Sequence, residues 1–241
     1  IFPVTTLRPE TIFGVTNLWV NPNVTYKKVS VDNETWIVSE ECVKKIEFFE
    51  KEVKIIGDIE GSEIIGKYAT VLHNNQEIPI LEAEFVEPGM GTGLVMSVPA
   101  HAPKDYQALM DLKAKNHELA SKIEPIPIIV TPGYDAYPGK QICEKLGVSN
   151  QTDEKLEEAT KELYLKEFTD GKLNEKCEQF NNEKVQYGRD KVRAWLQENN
   201  HLEKFPVLEN SPVHCRCGAE CVVKILNNQW FLNYGDEEWK E

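Results

Sequence analysis

Two short strings hold the residues best suited to chemistry. The first is Thr6-Leu7-Arg8-Pro9-Glu10-Thr11; the second runs from Gly91-Thr92-Gly93 through Val98-Pro99-Ala100-His101 to Asp105. A threonine hydroxyl donates one hydrogen bond and accepts two, but it is no base, so it orients water or a polar ligand without ionising it. Pro9 suits the first position of a short helix and Gly14 its end, which lets Thr6 and Thr11 face one pocket. The competing reading is local side-chain-to-backbone bonding at a strand end. Asp105 falls in the first turn of a helix opening near Pro103. There it either answers the helix dipole or anchors a ligand ammonium through a charge-assisted bond. His101 can act as a base or bridge backbone groups, and bridging is the better fit. Gly89, Gly91 and Gly93 superficially resemble a phosphate loop. Such a loop must open a helix, whereas Leu94-Val95-Met96-Ser97-Val98 is a β run, so no dinucleotide site is expected. The glycines instead allow close backbone approach or a bulge.

The elements that must position these residues divide the chain. Residues 1–100 read mostly as β. Strands are expected at Thr35-Trp36-Ile37-Val38, from Lys67 to Leu72 and from Glu77 to Leu81, with a turn at His73-Asn74-Asn75-Gln76. Pro79 and Pro88 favour edge or terminal positions. The mixed charges of 47–54 read as a solvated face. Helices gather later. One starts near Pro103 and carries Leu109, Leu112, Leu119 and Ile123. A second runs from an N-cap at Thr152 to about Phe168, with Leu156, Ala159 and Leu163 buried and Gly171 as its stop. A third spans Val185 to Glu198, with Val192, Trp195 and Leu196 inward and Gly188 weakening it. Residues from Pro125 to Val130, and the tail from Cys221 to Leu232, read as extended. The expected fold is α+β: a β-barrel core with peripheral helices.

Composition excludes several classes. A chain of 241 residues can bury a sizeable core. No stretch is apolar enough to span a membrane, and no secretory signal opens the chain. Residue 1 is an isoleucine inside a strand-like run, which reads as a segment of a longer polypeptide. The net charge of −13 argues against generic nucleic-acid binding, which depends on Lys and Arg. Cys42, Cys143 and Cys177 are scattered singly, unlike a disulfide framework, and suggest a reducing, cytoplasmic setting. His214, Cys215, Cys217 and Cys221 cluster, but zinc sites usually take two spaced pairs, so metal binding by this chain alone is not expected.

Together the two strings resemble the editing domain of leucyl-tRNA synthetases of the archaeal and eukaryotic cytosolic type. Thr6 to Thr11, Phe13-Gly14 and Thr16-Asn17-Leu18-Trp19-Val20 look like that family's threonine-rich region. Gly91 to His101, ending at Asp105, looks like its second signature, and Gln229-Trp230-Phe231 like the return into the synthetic core. Valyl relatives have a lysine-containing run where this chain has Val95-Met96-Ser97-Val98. Isoleucyl relatives have a different first motif. The signatures of the synthetic site are missing, so amino-acid activation is not expected of this chain.

The resemblance implies hydrolysis of the ester joining isoleucine, methionine or norvaline to tRNA(Leu). By resemblance, Asp105 holds the substrate ammonium, Thr11 excludes the leucyl side chain, and Thr6 and Arg8 belong to the first-motif pocket beside the attacking water. Leu7, Thr92, Met96, Val98 and His101 line the site for the amino acid and terminal adenosine. Leu7 departs from the bacterial pattern, which has a second threonine there. The resemblance also implies an editing domain over 1–225 (β core 1–100, helical additions about 103–205) and a return segment over 226–241. It implies no cofactor for editing, with ATP and Mg confined to the parent enzyme. The partners implied are the 3′ end of tRNA(Leu) and the rest of the parent synthetase, with a monomeric chain. The cysteine cluster would be half a zinc knuckle whose other pair lies elsewhere in the parent. The alternative is a non-catalytic RNA- or protein-binding module of a larger enzyme.

Overall fold

The computed structural model describes residues 1–49, 51–206, 213–219, 221–226, 228–230, 232, 233, 235 and 237. Its architecture grows around one short strand, β1 (Asn17–Val20). All four of its residues are buried, the polar Asn17 with the apolar Leu18, Trp19 and Val20, as a strand with both faces covered requires. It pairs in parallel with β6 (Gln76–Glu82), Leu18 opposite Ile80, and antiparallel with β7 (Val95–Ser97), Leu18 opposite Met96. With β5 (Tyr68–Val71) the sheet order is β5-β6-β1-β7. A second, antiparallel sheet, ordered β3-β2-β4, has β2 (Thr25–Val31) at its centre between β3 (Glu34–Val38) and β4 (Val53–Glu60). A third is the pair β8 (Ile129–Val130) and β9 (Lys172–Leu173).

The fold is mixed α/β. Among the described residues the strand pairing gives these three sheets and does not by itself close a ring. Helices also enter early: α1 (Glu40–Ile46) and α2 (Gly61–Ile64) interrupt the β half. None of the described residues of the charged 47–54 stretch is buried, and β4 begins within it at Val53; Glu50 lies outside the described residues. Pro79 sits in an inner strand, not at an edge. It pairs with Tyr68 on β5, while the ladder to β1 starts only at Ile80, so its missing N–H faces no β1 partner.

Each face of β1 feeds a different core. Leu18 and Val20 pack with Tyr26, Ile64, Ile78, Ile80 and Leu94. Trp19, fully buried, packs with Leu81 and with Ala108, Leu109 and Leu112 of α3 (Pro103–Ala114). Burying such side chains contributes roughly 1.5–3 kcal/mol each. The helix expected to run to Ile123 stops at Ala114. Asn116 takes a left-handed conformation (φ 57°), and His117 caps a separate turn, α4 (Glu118–Ser121).

A helical layer completes the molecule. It comprises α5 (Pro138–Leu146), α6 (Lys155–Asp170) and α7 (Val185–Glu198). The α7 limits match those read from the pattern, and Gly188 has a packing reason, since a Cβ there would lie 2.7 Å from Leu173 Cδ1. α6 starts after the expected Thr152 cap, because Thr152 bonds Asn150 while Asp153 accepts from the Lys155 amide. α5 was not expected. In the tail, no strand forms among the described residues from Cys221 onward, and Phe231 of the expected return segment lies outside them.

Candidate functional site

The first string folds as a 3-10 helix, Pro9–Gly14, with Arg8 as its N-cap. Arg8 is also its anchor. The Thr6 hydroxyl accepts from the Arg8 amide (2.9 Å), and the Thr11 hydroxyl donates to the Arg8 carbonyl (2.7 Å). Both hydroxyls therefore bond the backbone of one residue, as the local-bonding reading anticipated. Thr6 is exposed and Thr11 buried, while Leu7 is 83% exposed.

The Arg8 side chain turns inward. Its Nε bonds Glu10 Oε1 (3.0 Å), one terminal nitrogen bonds Glu167 Oε2 (2.7 Å), and the other lies 3.5 Å from the His101 carbonyl oxygen. The guanidinium sits 4.4 Å from the centre of the Tyr164 ring. Burial opposes the Arg8 charge, but Glu167 and Glu10 more than offset it and raise its pKa. Burial raises the Glu10 carboxyl despite Arg8, and Glu10 Oε2 has no hydrogen-bond partner. Burial pushes the Tyr164 hydroxyl up to about 12.

The second string packs against the first. A Cβ on Gly91 (φ 57°) would fall on the Thr5 hydroxyl, so only glycine lets these segments touch here. The close approach that this glycine allows is thus made by Thr5, the residue just before the first string. Thr92 is buried with its hydroxyl unpartnered, and its carbonyl accepts from the Ser39 amide (2.9 Å). Met96 lies on β7 opposite Leu18. From Val98 the chain turns, with the His101 and Ala102 amides both donating to the Val98 carbonyl.

His101 is fully buried and joins segments. Its Nε2 accepts from the amides of Ile128 (2.8 Å) and Ile129 (3.2 Å), so the ring proton sits on Nδ1, which donates to Glu167 Oε1 (2.6 Å). Asp105 is buried at the start of α3. Its Oδ1 accepts from the Trp19 indole (3.1 Å) and its Oδ2 from the Val98 amide (2.8 Å). Burial raises its pKa to about 7, against the pull of those two donors.

The structure thus brings Arg8, Thr6, Thr11 and His101 into one network and places Asp105 on Trp19 and Val98. Asp105 makes no hydrogen bond to the Thr6–Thr11 segment; the charges of both Arg8 and Asp105 act on the Tyr164 hydroxyl. A cleft of about 290 Å³ is bordered by Thr16, Tyr68, Pro79, Lys122 and Ile126, and a shallower one by acidic residues of α6. Neither is bordered by Thr6, Thr11 or Asp105. Sequence reasoning missed Glu167, Glu10, Tyr164 and the Trp19 bond. Cys215 and Cys217 are exposed in a turn closed by the Gly218 amide on the Cys215 carbonyl (2.8 Å). Among the described residues no group of three or more His, Cys, Asp or Glu side chains is arranged to hold a metal. No helix among them is long and apolar enough to cross a membrane.

Comparison with known proteins assigns this arrangement to a class. A structure titled GlLeuRS-CP1 superposes with a TM-score of 0.74 at 27% identity, covering 86% of this chain and 84% of that one. The P. falciparum cytosolic leucyl-tRNA synthetase editing domain shares the fold, with a TM-score of 0.74 at 22% identity over 83% of this chain and 76% of that one. A family model described as "Leucyl-tRNA synthetase, editing domain" matches residues 1–126. The chain belongs to the leucyl-tRNA synthetase editing-domain family. Among curated relatives, leucine--tRNA ligase of Methanocaldococcus jannaschii is 44% identical over 255 residues, and that of Methanothrix thermoacetophila 46% over 246. Each match covers 100% of this chain but only 26% of the relative, so the chain spans about a quarter of their length.

Proposed function

We infer that this chain hydrolyses the ester of a wrong amino acid, such as isoleucine, methionine or norvaline, attached to tRNA(Leu). The observation that carries the reading is the match of residues 1–126 to the editing-domain model, which contains both strings. The need is physical. One methylene more or less in an apolar pocket is worth only about 1–3 kcal/mol, so a second, hydrolytic site must supply the remaining discrimination; these synthetases are themselves the standing example of that limit. In this reading Asp105 holds the substrate ammonium, using lone pairs not taken by Trp19 and Val98. Thr11 blocks the cognate leucyl side chain, and Thr6 and Arg8 border the attacking water. Leu7, Thr92, Met96, Val98 and His101 line the amino acid and terminal adenosine. Water is the nucleophile and no cofactor is called for; catalysis rests on positioning and fixed dipoles. The chain acts in the cytoplasm, as a monomer, within a larger ligase that delivers the tRNA 3′ end. Residues 1–225 form the editing domain and 226–241 lead back toward the synthetic core.

The test is deacylation by the purified chain. Isoleucyl-tRNA(Leu) should be cleaved and leucyl-tRNA(Leu) spared. Thr11→Ala should make the leucyl ester vulnerable, and Asp105→Ala should abolish cleavage. Full activity in the Asp105 variant would overturn the assignment. One observation favours the rival, a binding module without catalysis: Thr6, Thr11 and Asp105 already have internal partners. That rival predicts no cleavage even when a non-hydrolysable mimic of the aminoacylated adenosine binds.

A further inference from the structure

We propose that Glu167 is a positioning residue that sets the spacing between the Thr6–Thr11 segment and the Val98–Asp105 turn; the proposal rests on the hydrolytic reading above. Glu167 lies on α6, far in the chain from both strings, and is fully buried. One oxygen accepts from Arg8 (2.7 Å) and the other from His101 Nδ1 (2.6 Å). These two partners belong to the two strings. On the first side, the backbone N–H and C=O of Arg8 hold the hydroxyls of Thr6 and Thr11, so a shift of Arg8 moves both. On the second, His101 closes the turn whose Val98 amide bonds Asp105. A single carboxylate therefore ties the groups assigned to water and side-chain exclusion to the group assigned to the ammonium. Tyr164, one helical turn before it, supports the guanidinium from the ring side. An amide cannot replace this carboxylate. Its oxygen can serve one donor, but its NH2 then faces the other donor, leaving a buried polar group unpaired.

The experiment compares wild type, Glu167→Gln, Arg8→Lys and the double variant in deacylation of isoleucyl- and leucyl-tRNA(Leu), with thermal melts alongside. Glu167→Gln should keep a cooperative melt and change KM less than about threefold. It should lose about tenfold or more in kcat, as misplacement of reacting groups does. Its preference for the isoleucyl ester should fall as well. The double variant should be no worse than the poorer single one, as expected of residues acting as one unit. A folded Glu167→Gln with wild-type kcat and discrimination overturns the proposal, as do additive losses in the double variant. A wild type that cleaves neither ester overturns the hydrolytic reading instead. If Glu167→Gln does not fold, 15N NMR of the unmodified chain decides. His101 should show an exchange-protected proton on Nδ1, and a proton on Nε2 overturns the proposal.

Discussion

Asp105 shows how one side chain's surroundings translate into pH behaviour. Burial raises its carboxyl from 3.8 to about 7, so the fold favours the neutral acid. The stability gained from that proton is complete below about pH 4 and is lost as pH climbs through about 7. Asp105→Asn is neutral throughout. Urea unfolding at about pH 5 and about pH 8 should therefore show wild type losing more stability than the variant over that interval. An ammonium is best held by the ionised carboxylate, so ester hydrolysis should rise with pH through about 7 in a kcat/KM profile. The sequence pointed to Asp105 but not to the Trp19 indole that grips it, because Trp19 read simply as an apolar strand residue. Glu167 was hidden for a different reason. It continues the buried stripe of Leu156, Ala159 and Leu163 at helical spacing, and a carboxylate on such a stripe is a signal that could have been read.

Among the elements, α7 was the most legible, because its apolar spacing and its limits agree. Its glycine offers a direct test. Gly188→Ala gains about 1 kcal/mol of helix propensity. The new methyl, however, would lie 2.7 Å from Leu173 Cδ1, in a side chain that is itself buried. Overpacking of this kind costs about 1–3 kcal/mol, so the net effect should be destabilisation on the order of 1 kcal/mol, read as a lower urea midpoint with unchanged slope. The 3-10 helix is pinned to α7 through Phe13, whose ring lies 5.9 Å from that of Trp195 and 6.0 Å from that of Phe180. Phe13→Ala should cost about 3–5 kcal/mol in the same assay. Elements whose stability comes from distant partners were less legible. β4 is held by its ladder to β2, not by its own mixed-charge sequence. α5 depends on packing with α6 around Ile142 and Leu163. Whether strands close into a barrel was not legible either, because strand pairing partners are not written in local pattern.

For the whole molecule, the charge of −13 opposes a polyanionic partner. Binding of uncharged tRNA(Leu) to this chain should be weak, and fluorescence anisotropy should show less than about tenfold loss between about 50 and about 200 mM salt. A protein that neutralises several phosphates would lose far more.

The central place of β1 also constrains how the polypeptide can be made. Leu18 has no neighbour across the ladder until Ile80 and Met96 have emerged from the ribosome. Through that interval the nascent chain must carry an unpaired hydrophobic strand, a slow and aggregation-exposed situation. Synthesis halted between β6 and β7 should leave one flank of β1 bare. Such arrested chains should accumulate on chaperones more than chains in which β7 and α3, which covers Trp19, have both emerged.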